Sequence, residues 1–385
     1  RLPVARLEEV SALPFVQSIR LPDYGIPSTG SLTTEGDAIL AADEVRSVFG
    51  VDGTGVRVGV ISDGIAGIFD TGCTSCGGLV GGPIETEDLP PQDVSENPTT
   101  GTRNGTGILT STTGGLIAQS FRSDNDLEGG AEGTALLEIV HDLAPGAQLY
   151  FANFSTGLGF NQAVNFLAAN TDVVVDDIGF VGLPYDGSSY ISINTANALN
   201  NDANPIRAYF TSVGNFARMH YQEDFLDSGL DGAIKYGLGQ SGNVHLFQAT
   251  ANTDDVKARG ASSFDSVYLC GTSNPGDCSA VSPGSFDTVH IWLVWDDAFG
   301  ASGNDYDLFL REESTGNVVA SSTGPQDGDD SPREVIIFTN TGTEGFFEIF
   351  IQNSSNSAAP VNFDMFIISP NGKVTLGSMR ENHNF

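Results

Sequence analysis

The stretch Val56-Arg-Val-Gly-Val-Ile-Ser-Asp-Gly64 decides how the rest of the chain is read. Its β-branched apolar run predicts a buried strand, and the run stops abruptly at Ser62-Asp63-Gly64. The strand therefore delivers one carboxylate, Asp63, to its carboxyl end. In an open α/β sheet that rim is where ligands bind. Asp before Gly is also an ordinary turn signal, and this segment alone leaves both readings standing.

Outward from this strand, segments of strand and helix character alternate. On the amino-terminal side, Thr34-Glu-Gly-Asp opens a helical pattern with Ile39, Leu40, Ala42, Val45 and Val48 on one face and Gly50 as its stop. On the other side a long Gly/Thr/Pro/Asp-rich loop runs to about residue 130 and contains the alternating patch Leu116–Phe121. A helix over Glu132–His141 follows, lined by Leu136, Ile139 and Val140, then a strand over Gln148–Ala152. A helix ending near Asn170 leads to Asp172-Val-Val-Val-Asp-Asp-Ile-Gly179, a second buried strand ending in carboxylates. A helix over Ser189–Leu199 and a strand over Ile206–Val213 complete the series, closed by Gly214-Asn215. This order predicts an α/β domain, a largely parallel sheet with helices on both faces.

Beyond Asn215 the helical periodicity disappears. Short alternating runs such as Thr288–Trp295, Tyr306–Leu310, Glu334–Phe338, Gly345–Ile351 and Val361–Ile367 are separated by Gly, Asn, Asp and Ser turns. They predict a separate all-β sandwich or jelly roll. The expected division is an extended lead-in at 1–35, the α/β domain at 36–239, the sandwich at 240–370, and a return towards the first domain at 371–385.

Composition narrows the partners. The 385 residues carry 49 acidic against 16 basic side chains, a formal net charge of −33. Such a surface repels phosphate backbones and anionic membranes, which argues against nucleic acid, and it suits calcium, salt or export. No stretch approaches the length of a membrane span, and Arg1 reads as the start of a processed or partial chain. The four cysteines form two local pairs, Cys73/Cys76 and Cys270/Cys278. Two short disulfides in a secreted or cell-surface protein fit this spacing better than a metal site assembled from distant segments. Asn104, Asn153 and Asn353 match the glycosylation sequon.

Four motifs in order resemble the subtilisin-like serine proteases. The Gly55–Gly64 stretch looks like the family's Asp strand; Gly133-Thr134 with Ala144-Pro-Gly-Ala147 looks like its His-Gly-Thr helix and the strand after it. Asp172–Gly179 looks like the substrate-binding strand, and Thr211-Ser-Val-Gly-Asn215 looks like the segment with the oxyanion Asn. The resemblance covers roughly residues 36–216. It is nearest to a bacterial subclass with a sandwich inserted before the serine. It implies a polypeptide substrate, a catalytic role for Asp63 and Asn215, and substrate-binding positions at Asp176, Asp177 and Gly179. Asp176 and Asp177 are equally placed to bind a substrate amine or a cation, or to cap the next loop.

The chain departs from that pattern twice. Glu132 stands before Gly-Thr where most subtilases carry His, and the related sedolisins use Glu as base. A carboxylate base needs a raised pKa, which Asp63 would supply by sharing a proton; such a dyad would work best in acid. Sedolisins orient their Glu from one helical turn on, where this chain has Leu136, so Asp63 is expected to orient Glu132. His141 is the alternative base, but nine residues along the same helix it lies about 13 Å further down the axis. The second departure is the serine helix. Gly271-Thr-Ser273 is followed by Asn274-Pro-Gly, which makes a turn. The serine is therefore expected beyond Phe385, in a C-terminal fragment, or on a partner chain.

In the sandwich, Asp296, Asp297, Asp305 and Asp307 supply oxygen ligands in a pattern that resembles the bacterial pre-peptidase C-terminal domain. The expected cofactor there is calcium, and the alternative is a solvated acidic edge. Two functions stay open on sequence: a secreted subtilisin-like endopeptidase, or a catalytically inactive relative whose sandwich serves attachment or assembly.

Overall fold

The structure is a computed structural model that describes residues 26–27, 36–68, 83–84, 88–90, 108–109, 115–214, 216, 219–247, 263–270 and 288–368. The chain forms two compact units. One comprises 1–180 and 185–215, the other 181–184 and 216–385.

The first unit is α/β. Helix α1 (Ala42–Phe49) precedes strand β1 (Arg57–Ser62), then come β2 (Ile117–Phe121), helix α2 (Glu132–Leu143), β3 (Gln148–Phe154) and helix α3 (Gly157–Asn170). Strand β4 (Val173–Asp176), helix α4 (Tyr190–Leu199) and β5 (Ala208–Thr211) complete it. Strands β2, β3, β1, β4 and β5 lie side by side in that order, all parallel, with Ile108–Leu109 added antiparallel at the β2 edge. Strand β1 is thus central, and it is buried from Val58 to Ser62 as its apolar run requires. Its two faces meet different helices: Val60 packs in a cluster with Leu137 of α2, whereas Gly59 lies against Leu167 of α3. Arg57 and Asp172 tie the starts of β1 and β4 together through two side-chain bonds, at 2.9 and 3.0 Å.

Two local expectations change. The pattern over 36–50 is two pieces, Gly36–Ile39 and α1, because Ala41 takes a left-handed conformation, and neither piece buries a residue. On α2 the fully buried residue is Leu137, with Leu136 and Val140 partly buried beside it. The helix turns its apolar stripe about one residue from the predicted face.

The second unit is all β. Its strands are β6 (His220–Asp224), β7 (Asp227–Asp231), β8 (Asn243–His245), β9 (Asp265–Leu269), β10 (Thr288–Trp295), β11 (Tyr306–Glu312) and β12 (Val318–Ser322), followed by β13 (Arg333–Thr339), β14 (Gly345–Asn353) and β15 (Asn362–Ile368). One antiparallel sheet runs β7-β8-β14-β11-β12, with β9 also on β14; the other runs β13-β10-β15-β6. Residues of both sheets, including Ile291, Leu293, Trp295, Leu308, Leu310, Ile349, Ile351, Met365 and Ile367, share one core. The α/β-plus-sandwich class is therefore present, but the boundary at 239/240 is corrected. Strands β6 and β7 pair with β15 and β8, so the second unit takes in 216–239. The lead-in apart from Ile26–Pro27, and the 371–385 return, lie outside the described residues.

Candidate active site

The parallel sheet brings three carboxylates to one rim. Asp63 follows β1, Asp177 follows β4, and Glu132 begins α2. Asp176 and Asp177 are neighbours on an extended chain, so their side chains leave opposite faces. Asp176 turns to β5, accepting bonds from Thr211 Oγ1 at 2.7 Å and the Ile178 N–H at 3.0 Å. Burial raises its pKa. Asp177 turns the other way and meets Glu132, their carboxyls lying within hydrogen-bonding reach.

Asp63 does something the sequence did not suggest. Ala131, at the N-cap of α2, makes no side-chain cap bond; instead Asp63 Oδ1 accepts the Glu132 N–H at 3.1 Å. A carboxylate from a distant strand thus caps the helix and faces its positive end. The approach is possible only because glycines line it. A Cβ at Gly130 would overlap the Asp63 carboxylate, and one at Gly133 would strike Phe151 and the Gly64 carbonyl. Asn153 Nδ2, fully buried, holds the rim from below with bonds to Asp63 O at 3.2 Å and Asp126 O at 2.8 Å. Buried in this way, Asn153 is no glycosylation acceptor.

The pair of facing carboxyls titrates high. Burial raises Glu132 to about 8, assisted by the charge of Asp177, its hydrogen bond, and the charge of Asp63. Burial lifts Asp177 to about 6, against the opposing influence of Glu132 and of the nearby Ser62 hydroxyl. Among the described residues no basic side chain acts on either group. Arg122, whose charge interacts with that of Asp63, is engaged with Asp124 at 2.9 Å. His141 is outside this cluster: burial lowers its pKa, and the charges acting on it are Asp142 and Asp88.

Gly179 lies in the short strand Ile178–Gly179, which pairs antiparallel with Ile26–Pro27. The edge next to the carboxyl cluster therefore already holds an extended piece of chain. Asn215, Ser273, Cys73, Cys76 and Cys278 lie outside the described residues. Cys270 is buried and disulfide-bonded.

Among the described residues no three of the expected calcium ligands gather their oxygens. Asp297 is occupied by Ser302 Oγ at 2.8 Å, the Asn304 N–H at 3.1 Å and Asn304 Nδ2 at 3.0 Å. Asp296 is exposed, Asp305 accepts the Gln326 N–H at 3.3 Å, and Asp307 is buried with Oδ2 unpartnered. Among the described residues the acidic side chains whose oxygens gather are Asp327, Asp329 and Asp330, all exposed. No helix among the described residues is long and apolar enough to cross a membrane.

From sequence, Asp177 reads as a ligand for a substrate amine or a cation, or as a cap of the next loop; its pairing with Glu132 is not among those readings. The available signal was the Asp-Asp doublet at a strand end, since alternation sends one of the two to each face.

No family model and no curated protein matches the chain. Among solved structures it is similar to the Clostridium perfringens CspB protease, with a TM-score of 0.41 and 12% identity over 87% of this chain and 68% of that one. It is also similar to a carbohydrate binding module from Cellvibrio mixtus lichenase 5A, with a TM-score of 0.18 and 13% identity over 39% of this chain and 86% of that one. At these scores neither likeness bears on chemistry.

Proposed function

We propose that the first unit carries the acid–base machinery of a subtilisin-like serine endopeptidase that acts on polypeptides. One juxtaposition carries the reading: a carboxyl group of raised pKa, Glu132, stands beside a strand edge on which an extended segment is paired antiparallel. A substrate strand would take the place of that segment on the edge, pairing through its backbone and presenting its carbonyl at the rim. Glu132 takes the proton of a serine supplied from outside the described residues as the serine oxygen bonds to the carbonyl carbon. It then returns the proton to the leaving amine as the C–N bond breaks, and water releases the acyl group by the same path. Asn215 would donate to the oxyanion, and Asp63 would hold the helix that carries the base. Export, with the disulfides Cys73–Cys76 and Cys270–Cys278, belongs to the same proposal.

The pH range follows from the pair rather than from either residue. Apparent values of about 6 and about 8 leave the two carboxyls with one negative charge between those limits. A base must be ionised, and Glu132 gives up its proton only near pH 8, so reactivity rises with pH through neutrality rather than centring in acid, where the sequence alone had placed it. The test is labelling of the protein by a fluorophosphonate probe from pH 4 to 9. We expect labelling to rise with pH to a plateau above about 8, and to be lost in Glu132→Gln. A protein that takes no label at any pH loses the catalytic reading and is left with the binding one.

A further inference from the structure

The oxygens of the carboxyl pair pose a problem that ionised groups cannot solve. Glu132 Oε2 and both carboxylate oxygens of Asp177 are buried, and among the described residues they accept no bond from any N–H or O–H group in hydrogen-bonding geometry. Asp177 is only 7% exposed. Two facing carboxylates repel, and buried acceptors without donors are costly. A proton on one of them removes both difficulties, because it turns an acceptor into a donor aimed at its neighbour.

Among the described residues the surroundings offer no other remedy. From β1, Asp63 contributes a further negative charge, and the Ser62 hydroxyl lies near Asp177 without making a well-formed bond. From β4, Asp176 adds a second negative charge, although its own carboxylate is tied to Thr211 and the Ile178 N–H. From the segment after β2, Arg122 acts on Asp63 while bound to Asp124. Asp63 itself spends an oxygen on the Glu132 backbone and makes no bond to its side chain.

We propose that Glu132 and Asp177 share a single proton across their facing carboxyl groups at neutral pH, and that Asp177, not Asp63, is the residue that positions Glu132. Asp177 comes from the end of the strand that leads directly into the Ile178–Gly179 edge, so the positioning residue and the substrate edge are one continuous piece of chain. As a statement about catalysis this rests on Glu132 being the base; the shared proton does not.

The deciding experiment needs no activity. Difference potentiometric titration of the native full chain, wild type against Glu132→Gln and Asp177→Asn, isolates the protons held by the pair. We expect Glu132→Gln to remove a release step near pH 8, and Asp177→Asn to bring that step down by about one pKa unit or more by deleting the neighbouring charge. A step that Asp177→Asn leaves in place would overturn the proposal, because burial alone would then hold the Glu132 proton. If Asp177→Asn does not fold, as judged by circular dichroism, Asp177→Ser removes the same charge and is read the same way. Failure of fluorophosphonate labelling with this titration intact would remove the peptidase reading and leave the shared proton standing.

Discussion

At the scale of single residues, the rim depends on small side chains as much as on charged ones. Gly130 faces Asp63 so closely that a methyl group there would occupy the space of the carboxylate. Gly130→Ala should therefore cost roughly 1–3 kcal/mol, the usual range for forcing a group into packed space. It should also release the Asp63 cap on the Glu132 N–H. Thermal unfolding of the variant checks the cost; an unchanged melting temperature would mean that the rim relaxes freely around an added methyl. Asp63 was legible from sequence as a carboxylate at a strand end. Its bond to a helix N–H was not, since the cap lies 69 residues away and no local pattern records it.

Elements explain which parts of the fold could be read in advance. The sandwich strands were legible because alternation survives in them: β10 reads Thr-Val-His-Ile-Trp-Leu-Val-Trp with its apolar positions inward. Strand β6, His-Tyr-Gln-Glu-Asp, buries only Tyr221, and without a sustained apolar face nothing marks it as belonging to the second unit. The break at Ala41 was likewise silent, because Ala gives no sign of a left-handed turn. Element packing also yields a prediction. Arg311 of β11 binds Glu348 of β14 at 2.6 Å, donates to the Tyr236 carbonyl at 3.1 Å, and lies over the Tyr236 and Phe350 rings at 5.3 and 5.2 Å. Arg311→Ala strips a partner from the Glu348 side chain, 7% exposed, and should cost about 3–5 kcal/mol. Arg311→Lys should recover little of it, since an ammonium cannot reach carboxylate, carbonyl and rings together. Urea unfolding followed by Trp fluorescence measures both. The loop between β10 and β11 gives a third expectation: Asp297→Ala lowers the melting temperature by removing three bonds, whereas a chelator leaves the wild-type value unchanged. A drop on chelation would restore calcium to this end of the sandwich.

Across the whole molecule the net charge of −33 makes stability a matter of salt and pH. Raising the ionic strength from about 0.01 M to about 0.15 M shortens the screening length from about 30 to about 8 Å and should raise the melting temperature. The pH dependence is best argued for the second unit, because both tryptophans of the chain, Trp292 and Trp295, lie in β10 and report on that unit alone. There burial, reinforced by the charges of Asp305 and Glu334, raises Asp307 from 3.8 to about 7. A carboxyl whose folded value is raised binds its proton more tightly when folded. Its contribution is fully present below the unfolded value and is lost as pH rises through the folded one. Glu334, also raised by burial, acts in the same direction. His290, lowered by burial, acts oppositely below 6.5, and Asp231, lowered by its bond from Ser241, matters only near and below 3.8. The variant Asp307→Asn separates these contributions, since it removes one proton site and keeps the shape. Its melting temperature relative to wild type, followed by Trp fluorescence at constant ionic strength, should climb between pH 5 and 8 by a few degrees or more. A difference that stays flat across that range would mean that Asp307 is ionised in the folded sandwich at neutral pH and held by partners other than a proton.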